Sequence, residues 1–242
     1  LYTPIYERLE DPNFPEVFEA KWVMHGVVVF LEHLEGEEVK FGHLEAEKGP
    51  IARIVTYAAG FEYTEDMVVY NRTFDMELLD RSFGESYNAL LNHIHLGPIL
   101  SYTYASANKT SAKYVKADGT LAESASGAHP VLSLRETLKQ GISDARAKKR
   151  PGNVLLIAGP KEEHIREALA GMTVNGTTYP SLTGIDTIIA YDGYEIRVGK
   201  KTYSYPGVSE NKAYLIRPRR GFKELVKHDL RVDATMGDLS RL

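Results

Sequence analysis

Asn153-Val154-Leu155-Leu156-Ile157-Ala158-Gly159-Pro160 is a short unbroken apolar run closed by a glycine and a proline. Its length suits a strand buried on both faces, and the segment from Lys161 to Ala170, stopped by Gly171, has helical spacing. Together they predict a β-α unit. Downstream, Ile185 to Tyr191 is a second apolar strand, and Tyr194 to Val198 with Thr202 to Tyr205 predicts a hairpin about Gly199-Lys200-Lys201. Ala213 to Arg217 completes a small α/β domain over residues 152–217.

Upstream of this unit, Met67, Tyr70, Phe74, Leu78, Leu79, Phe83, Tyr87, Leu90 and Ile94 recur at helical spacing with no proline before Pro98. This predicts one long helix, with Thr64 as N-cap, Glu65 and Asp66 in its first turn, and Gly97-Pro98 as its end. A second helix is expected from Ser133 to Lys149 through Leu134, Leu138, Ile142 and Ala145. Residues 101–130 between the two are rich in Ser, Ala, Thr, Gly and Lys and read as a mobile loop excursion. From Val27 to Phe61 the chain is rich in Val, Ile, Phe and Tyr, interrupted at Glu35–Glu38 and Glu45–Pro50, which predicts a β-ribbon. Its strands are expected at Val39–Leu44 and Ile51–Tyr57. A ribbon this charged is marginal alone in water. The tail from Lys223 to Asp233 is expected to return as a strand to the helix-containing part, which makes residues 152–217 an insertion.

The 242 residues hold one large or two small domains, and 43% hydrophobic with 26% charged residues is the balance of a globular chain rather than a disordered or coiled-coil one. The net charge of -4 argues against a dedicated nucleic-acid binder unless the bases are clustered. Charge is, however, divided by position. Residues 1–50 carry eleven acids against four bases, a net of -7, whereas residues 200–242 carry ten bases against five acids, a net of +5. Such asymmetry fits surfaces that meet within or between molecules, and equally fits two solvated faces. With no cysteine, disulfides, thiolate metal sites and thiol nucleophiles are excluded. No run reaches the ~18 apolar residues of a membrane span, and the charged start lacks a signal segment. Leu rather than Met at position 1 points to a chain that is processed or begins partway along its gene product.

Motifs for catalysis are weak. Gly159-Pro160-Lys161 follows a strand and precedes a helix, but neither G-x-G-x-x-G nor G-x-x-x-x-G-K-[ST] is present. His93 and His95 are two apart on a helix and cannot face one ligand, and His25, His33 and His43 have no partners at metal spacing, so the histidines read as structural. No G-x-S-x-G elbow occurs. The N-x-[ST] triplets at Asn71, Asn108 and Asn175 are discounted, since such triplets are common by chance. The compact basic cluster Arg217-Pro218-Arg219-Arg220-Gly221-Phe222-Lys223 lacks the aromatic platform of a single-strand binder, so protein carboxylates are its expected partners. No catalytic, cofactor or metal residue is assigned.

The order of elements resembles the major capsid protein of tailed double-stranded DNA bacteriophages, the Hong Kong 97 fold. The likeness is carried by Val39-Lys40-Phe41-Gly42, by Thr56-Tyr57-Ala58-Ala59-Gly60-Phe61-Glu62-Tyr63-Thr64-Glu65-Asp66-Met67, and by the tail from Ala213 to Thr235. They resemble the extension loop, its passage into the spine helix, and the last strands of the peripheral domain. The resemblance implies an α+β fold with an N-terminal segment (1–23), an extension loop (24–62), a peripheral domain with the spine helix (63–151 and 218–242) and an inserted α/β axial domain (152–217).

Its implied function is structural and not enzymatic: self-assembly into hexamers and pentamers of an icosahedral head, put together in the bacterial cytoplasm and enclosing double-stranded DNA without reading its sequence. Scaffold, portal and decoration proteins are the family's further partners, and no membrane is involved. The expected assembly contacts are Glu35, Glu37, Glu38 and Lys40 on the ribbon and Arg217, Arg219, Arg220 and Lys223 on a neighbour. Some members crosslink a loop lysine to an asparagine; Lys40 and Lys48 lie in the right region, but no asparagine and glutamate partners match. The long N-terminal scaffolding segment of many members is absent. Two rivals are an encapsulin-like compartment shell and a small α/β enzyme binding a nucleotide or metabolite at Gly159.

Overall fold

The computed structural model describes residues 1–14, 17–19, 22–23, 46–47, 51–53, 55–59, 73–198 and 200–230. The chain forms a mixed α+β structure. Its first strands are β1 (Glu7–Glu10), β2 (Val17–Glu19), β3 (Trp22–Val23), β4 (Ala46–Glu47) and β5 (Ile51–Arg53). Next come helix α1 (Thr73–Ser101), β6 (Tyr114–Val115), β7 (Leu121–Ala122), helix α2 (Pro130–Ala147), β8 (Val154–Ile157) and helix α3 (Glu162–Leu169). The remainder is β9 (Met172–Val174), β10 (Thr177–Tyr179), β11 (Thr187–Ala190), β12 (Gly193–Val198), β13 (Lys201–Pro206), β14 (Tyr214–Ile216) and β15 (Lys223–Val226). The chain divides into two compact units: residues 1–7 with 61–223, and residues 8–60 with 224–242. The divisions fall inside β1 and β15, which pair with each other. Residues 152–217, expected as a separate axial domain, all lie in the first unit.

In the first unit β8 is the middle strand of a three-stranded sheet, parallel to β11 and antiparallel to β14. All four β8 residues are buried, because alternate side chains enter different cores. Val154 and Leu156 join Tyr2, Ile5, Leu96 and Ile99 on one face. Leu155 and Ile157 join Leu138, Ile165 and Ala168 on the other, under α2 and α3. The parallel β8–β11 pair needs a crossover, supplied by α3 and the β9–β10 hairpin. That hairpin turns on Asn175 (φ 48°) and Gly176 (φ 78°), the left-handed pair of a two-residue turn. Its sequence signal is Asn175-Gly176, within the N-x-[ST] triplet.

Helix α1 ends at Ser101, beyond Pro98 rather than before it. Pro98 removes one N–H in the last turns, and the residue ahead of it is Gly97, which has no Cβ to clash with the proline ring. The helix continues past it, with the Tyr102 amide donating to the Pro98 carbonyl at 3.2 Å. The expected start of this helix at Thr64 lies outside the described residues.

Residues 101–130 are tied down rather than a bare loop. They contain a 3₁₀ turn at Ser106–Asn108 and the β6–β7 hairpin, whose Val115 is buried and whose Val115 amide donates to Ser133 Oγ at 2.9 Å. Helix α2 begins earlier than read, at Pro130, with His129 Nδ1 accepting from the Leu132 amide at 3.4 Å. The C-terminal segment forms strand β15, as expected of it, and pairs with β1.

In the second unit two short antiparallel ladders pair Val17–Glu19 with Ile51–Arg53 and Trp22–Val23 with Ala46–Glu47, with Phe18 opposite Ala52 and Trp22 opposite Glu47. The ribbon therefore includes residues assigned from sequence to an N-terminal segment. The expected strand Val39–Leu44 lies outside the described residues.

Candidate assembly surfaces

The basic cluster forms the turn between β14 and β15 in the first unit. Arg219 has φ 60° and Gly221 φ 86°, so two left-handed residues bend the chain sharply. The turn is clamped by the N-terminal arm: the Arg219 amide donates to the Ile5 carbonyl at 2.7 Å, and the Glu7 amide to the Phe222 carbonyl at 2.9 Å. Tyr6 packs edge-on against Phe222 at 5.4 Å. Tyr2 stacks on His95 at 3.7 Å, and the Tyr6 hydroxyl donates to the His95 carbonyl at 2.7 Å. Ile5 is fully buried. This arm, with no periodic pattern to announce it, is core.

Of the four expected basic contacts, Lys223 lies 3.8 Å from Glu7 within the same unit. Arg217 is half-buried, while Arg219 and Arg220 are exposed and form no ion pair among the described residues. Glu35, Glu37, Glu38 and Lys40 lie outside the described residues.

Among the described residues, the buried side chains of helix α1 are Ala89, His95, Leu96 and Ile99, all in its C-terminal half. From Leu78, 56% exposed, to Asn88, none of its described side chains is buried. Leu121 (71%), Tyr102 (66%) and Tyr203 (55%) are further large apolar or aromatic side chains left open in this unit.

The strand–glycine–helix junction is occupied by the protein itself. The Gly159 amide donates to Asp192 Oδ1 at 2.6 Å, and Lys161 pairs with Glu210 at 3.3 Å. Asp192 also lines an open cleft of about 300 Å³ with Tyr194, Glu195, Ser204 and Tyr205. Behind Tyr205 its ring stacks on His93 at 4.3 Å. His93 and His95 thus pack on different tyrosines. Asn92 Oδ1, His93 Nδ1 and the Tyr191 hydroxyl are buried without a hydrogen-bond partner among the described residues. Burial first, and then Tyr205, raise the Tyr191 phenol above its ordinary pKa.

No grouping of His, Asp and Glu among the described residues is suited to a metal ion, and no helix among them is long and apolar enough to cross a membrane. Comparison with protein-family models, curated proteins and solved structures gives no match.

Proposed function

We propose that this chain is a structural subunit of an icosahedral shell of the Hong Kong 97 type, a phage-head protein that assembles as hexamers and pentamers around double-stranded DNA. The observation that carries the reading is α1. Its 29 residues correspond to about 43 Å, and from Leu78 to Asn88 none of its described side chains is fully buried. Helices in globular proteins draw most of their stability from burying one face, so a neighbouring copy is the natural cover for this one. The exposed Leu78, Tyr102, Leu121 and Tyr203 point the same way. The strand pairs 17–19 with 51–53 and 22–23 with 46–47, and a small α/β layer after α2, are consistent with the order of elements in that family.

The metabolite-binding alternative is weakened by positive contacts: a carboxylate already holds the Gly159 amide, and Glu210 already holds Lys161. Negative-stain microscopy and sedimentation across protein concentration and salt test the proposal. Rings or closed particles are expected at high concentration. A monomer under every condition overturns it.

A further inference from the structure

Besides Arg217–Lys223 the sequence carries a basic run at Lys148-Lys149-Arg150, and folding lays a segment from about forty residues earlier beside it. Helix α2 ends in a hydrogen-bonded reversal, with the Arg150 amide donating to the Ala145 carbonyl and the Lys149 amide to the Arg146 carbonyl, both at 2.9 Å. This presents Lys148, Lys149 and Arg150 consecutively, all exposed. The excursion after α1 is laid beside them. Lys148 Nζ donates to the Ala107 carbonyl, Thr110 Oγ1 donates to Asp144 Oδ2 at 2.8 Å, and the Lys113 amide donates to Thr137 Oγ1 at 2.9 Å. Lys109 and Lys113 are exposed on this strip, together with Ser106, Asn108 and Ser111.

Lys113 and Lys148 lie about Asp144, the carboxylate tied into the strip, and the exposed Lys109, Lys149 and Arg150 flank them in the chain. That carboxyl is held below its ordinary pKa by Thr110 and Gln140, and then by Lys148 and Lys113. Neutralising a helix end accounts for little of this, since the end carries only about half a negative charge.

Lys149 supplies a second observation. It has φ 58°, a position where glycine is the usual residue and a side chain costs about 1–2 kcal/mol. The side chain at this position is presented at a cost in backbone strain.

We infer that this surface binds the phosphate backbone of duplex DNA without reading its sequence. Lysines on flexible stems, interspersed with small hydroxyl and amide side chains, suit phosphates. A protein–protein contact has instead an apolar centre depleted of charge, and the patch has none. The inference extends the shell reading by naming the surface that meets the packaged DNA, and it rests on separate observations.

The test measures binding of the intact chain to a fluorescent DNA duplex by anisotropy over a salt series, with particle formation scored in parallel by microscopy. Binding is expected at about 50 mM salt and lost on raising it. K109Q/K113Q should reduce the log–log salt slope by about 2, whereas K200Q/K201Q, with the same change in charge, should not. K149G should weaken binding yet leave the melting temperature equal or higher. Equal losses in K109Q/K113Q and K200Q/K201Q, or no binding at low salt, overturn the inference. Loss of particles with unchanged DNA binding in K109Q/K113Q also overturns it, and assigns the patch to a second copy. DNA binding that maps to the patch in a protein that never forms particles supports the inference and removes the shell reading.

Discussion

Asp192 stands at the Gly159 amide where an anionic ligand would stand in a phosphate-binding turn. A Cβ on Gly159 would fall 2.1 Å from Asp192 Oδ2, far inside van der Waals contact. Gly159→Ala is therefore expected to destabilise the protein by roughly 1–3 kcal/mol in urea unfolding, the usual range for a forced overlap. Asp192→Ala in the same chain should recover part of that loss, a coupling that independent sites do not show. Additive losses would mean that the carboxylate moves aside at no cost. Arg135 is another residue whose role depends on its surroundings. It is 6% exposed, and its guanidinium donates to the carbonyls of Ala168, at 3.0 Å, and Pro180. A buried cation facing the end of α3 joins α2, α3 and the segment after β10.

The link between α2 and the excursion after α1 is an element-scale device. Asp144 accepts from Thr110 at 2.8 Å and from Gln140 at 2.7 Å, and both hold its carboxyl below the ordinary value. A carboxyl whose pKa is depressed on folding stabilises the fold above its unfolded pKa, and that contribution disappears as pH falls through the folded value. The window thus lies below about pH 4, the ordinary aspartate range. Asp118 and Asp229 are depressed in the same direction, by Thr120 and by the Leu230 amide with Arg8, so the comparison needs a single variant. Asp144→Asn should lower the melting temperature at pH 6 and lose less than the parent between about pH 5 and 2.5. Parallel curves would show that Asp144 is not coupled to folding. The same pairing explains why a composition typical of loops is held in place, through a hairpin whose Val115 is buried.

For the whole molecule, the opposite charges of the two chain ends gain a structural qualification. Lys223 is already satisfied by Glu7, which leaves Arg219 and Arg220 as exposed partners for acids on a neighbour. Each exposed pair contributes only about 0–1 kcal/mol, but a shell repeats it in every subunit. Arg219→Glu with Arg220→Glu should weaken particle formation, and adding Glu37→Lys with Glu38→Lys should restore part of it. Both effects should shrink as salt rises beyond about 0.1 M, where screening acts over ~10 Å. A quadruple variant no better than the sum of its parts would assign the charge asymmetry to another cause.

The elements whose pattern is local were legible in the amino-acid sequence. The four-residue apolar run of β8, the helical spacing of α1 and α2, and the paired strands β12 and β13 each report their own environment. Asn175-Gly176 carries a hairpin signal too, one that its reading as a sugar-acceptor triplet passes over, and both residues are left-handed in the turn. What the tertiary structure alone decided is which distant residues share a surface. Tyr2 and Ile5 are core because α1 and the β14–β15 turn come to them. Asp192 blocks the Gly159 amide across 33 residues, and Lys109 and Lys113 join Lys148–Arg150 only once α2 has folded beside them. Periodicity encodes which face of an element avoids water, whereas the meeting of two faces is set by packing between elements remote in the chain.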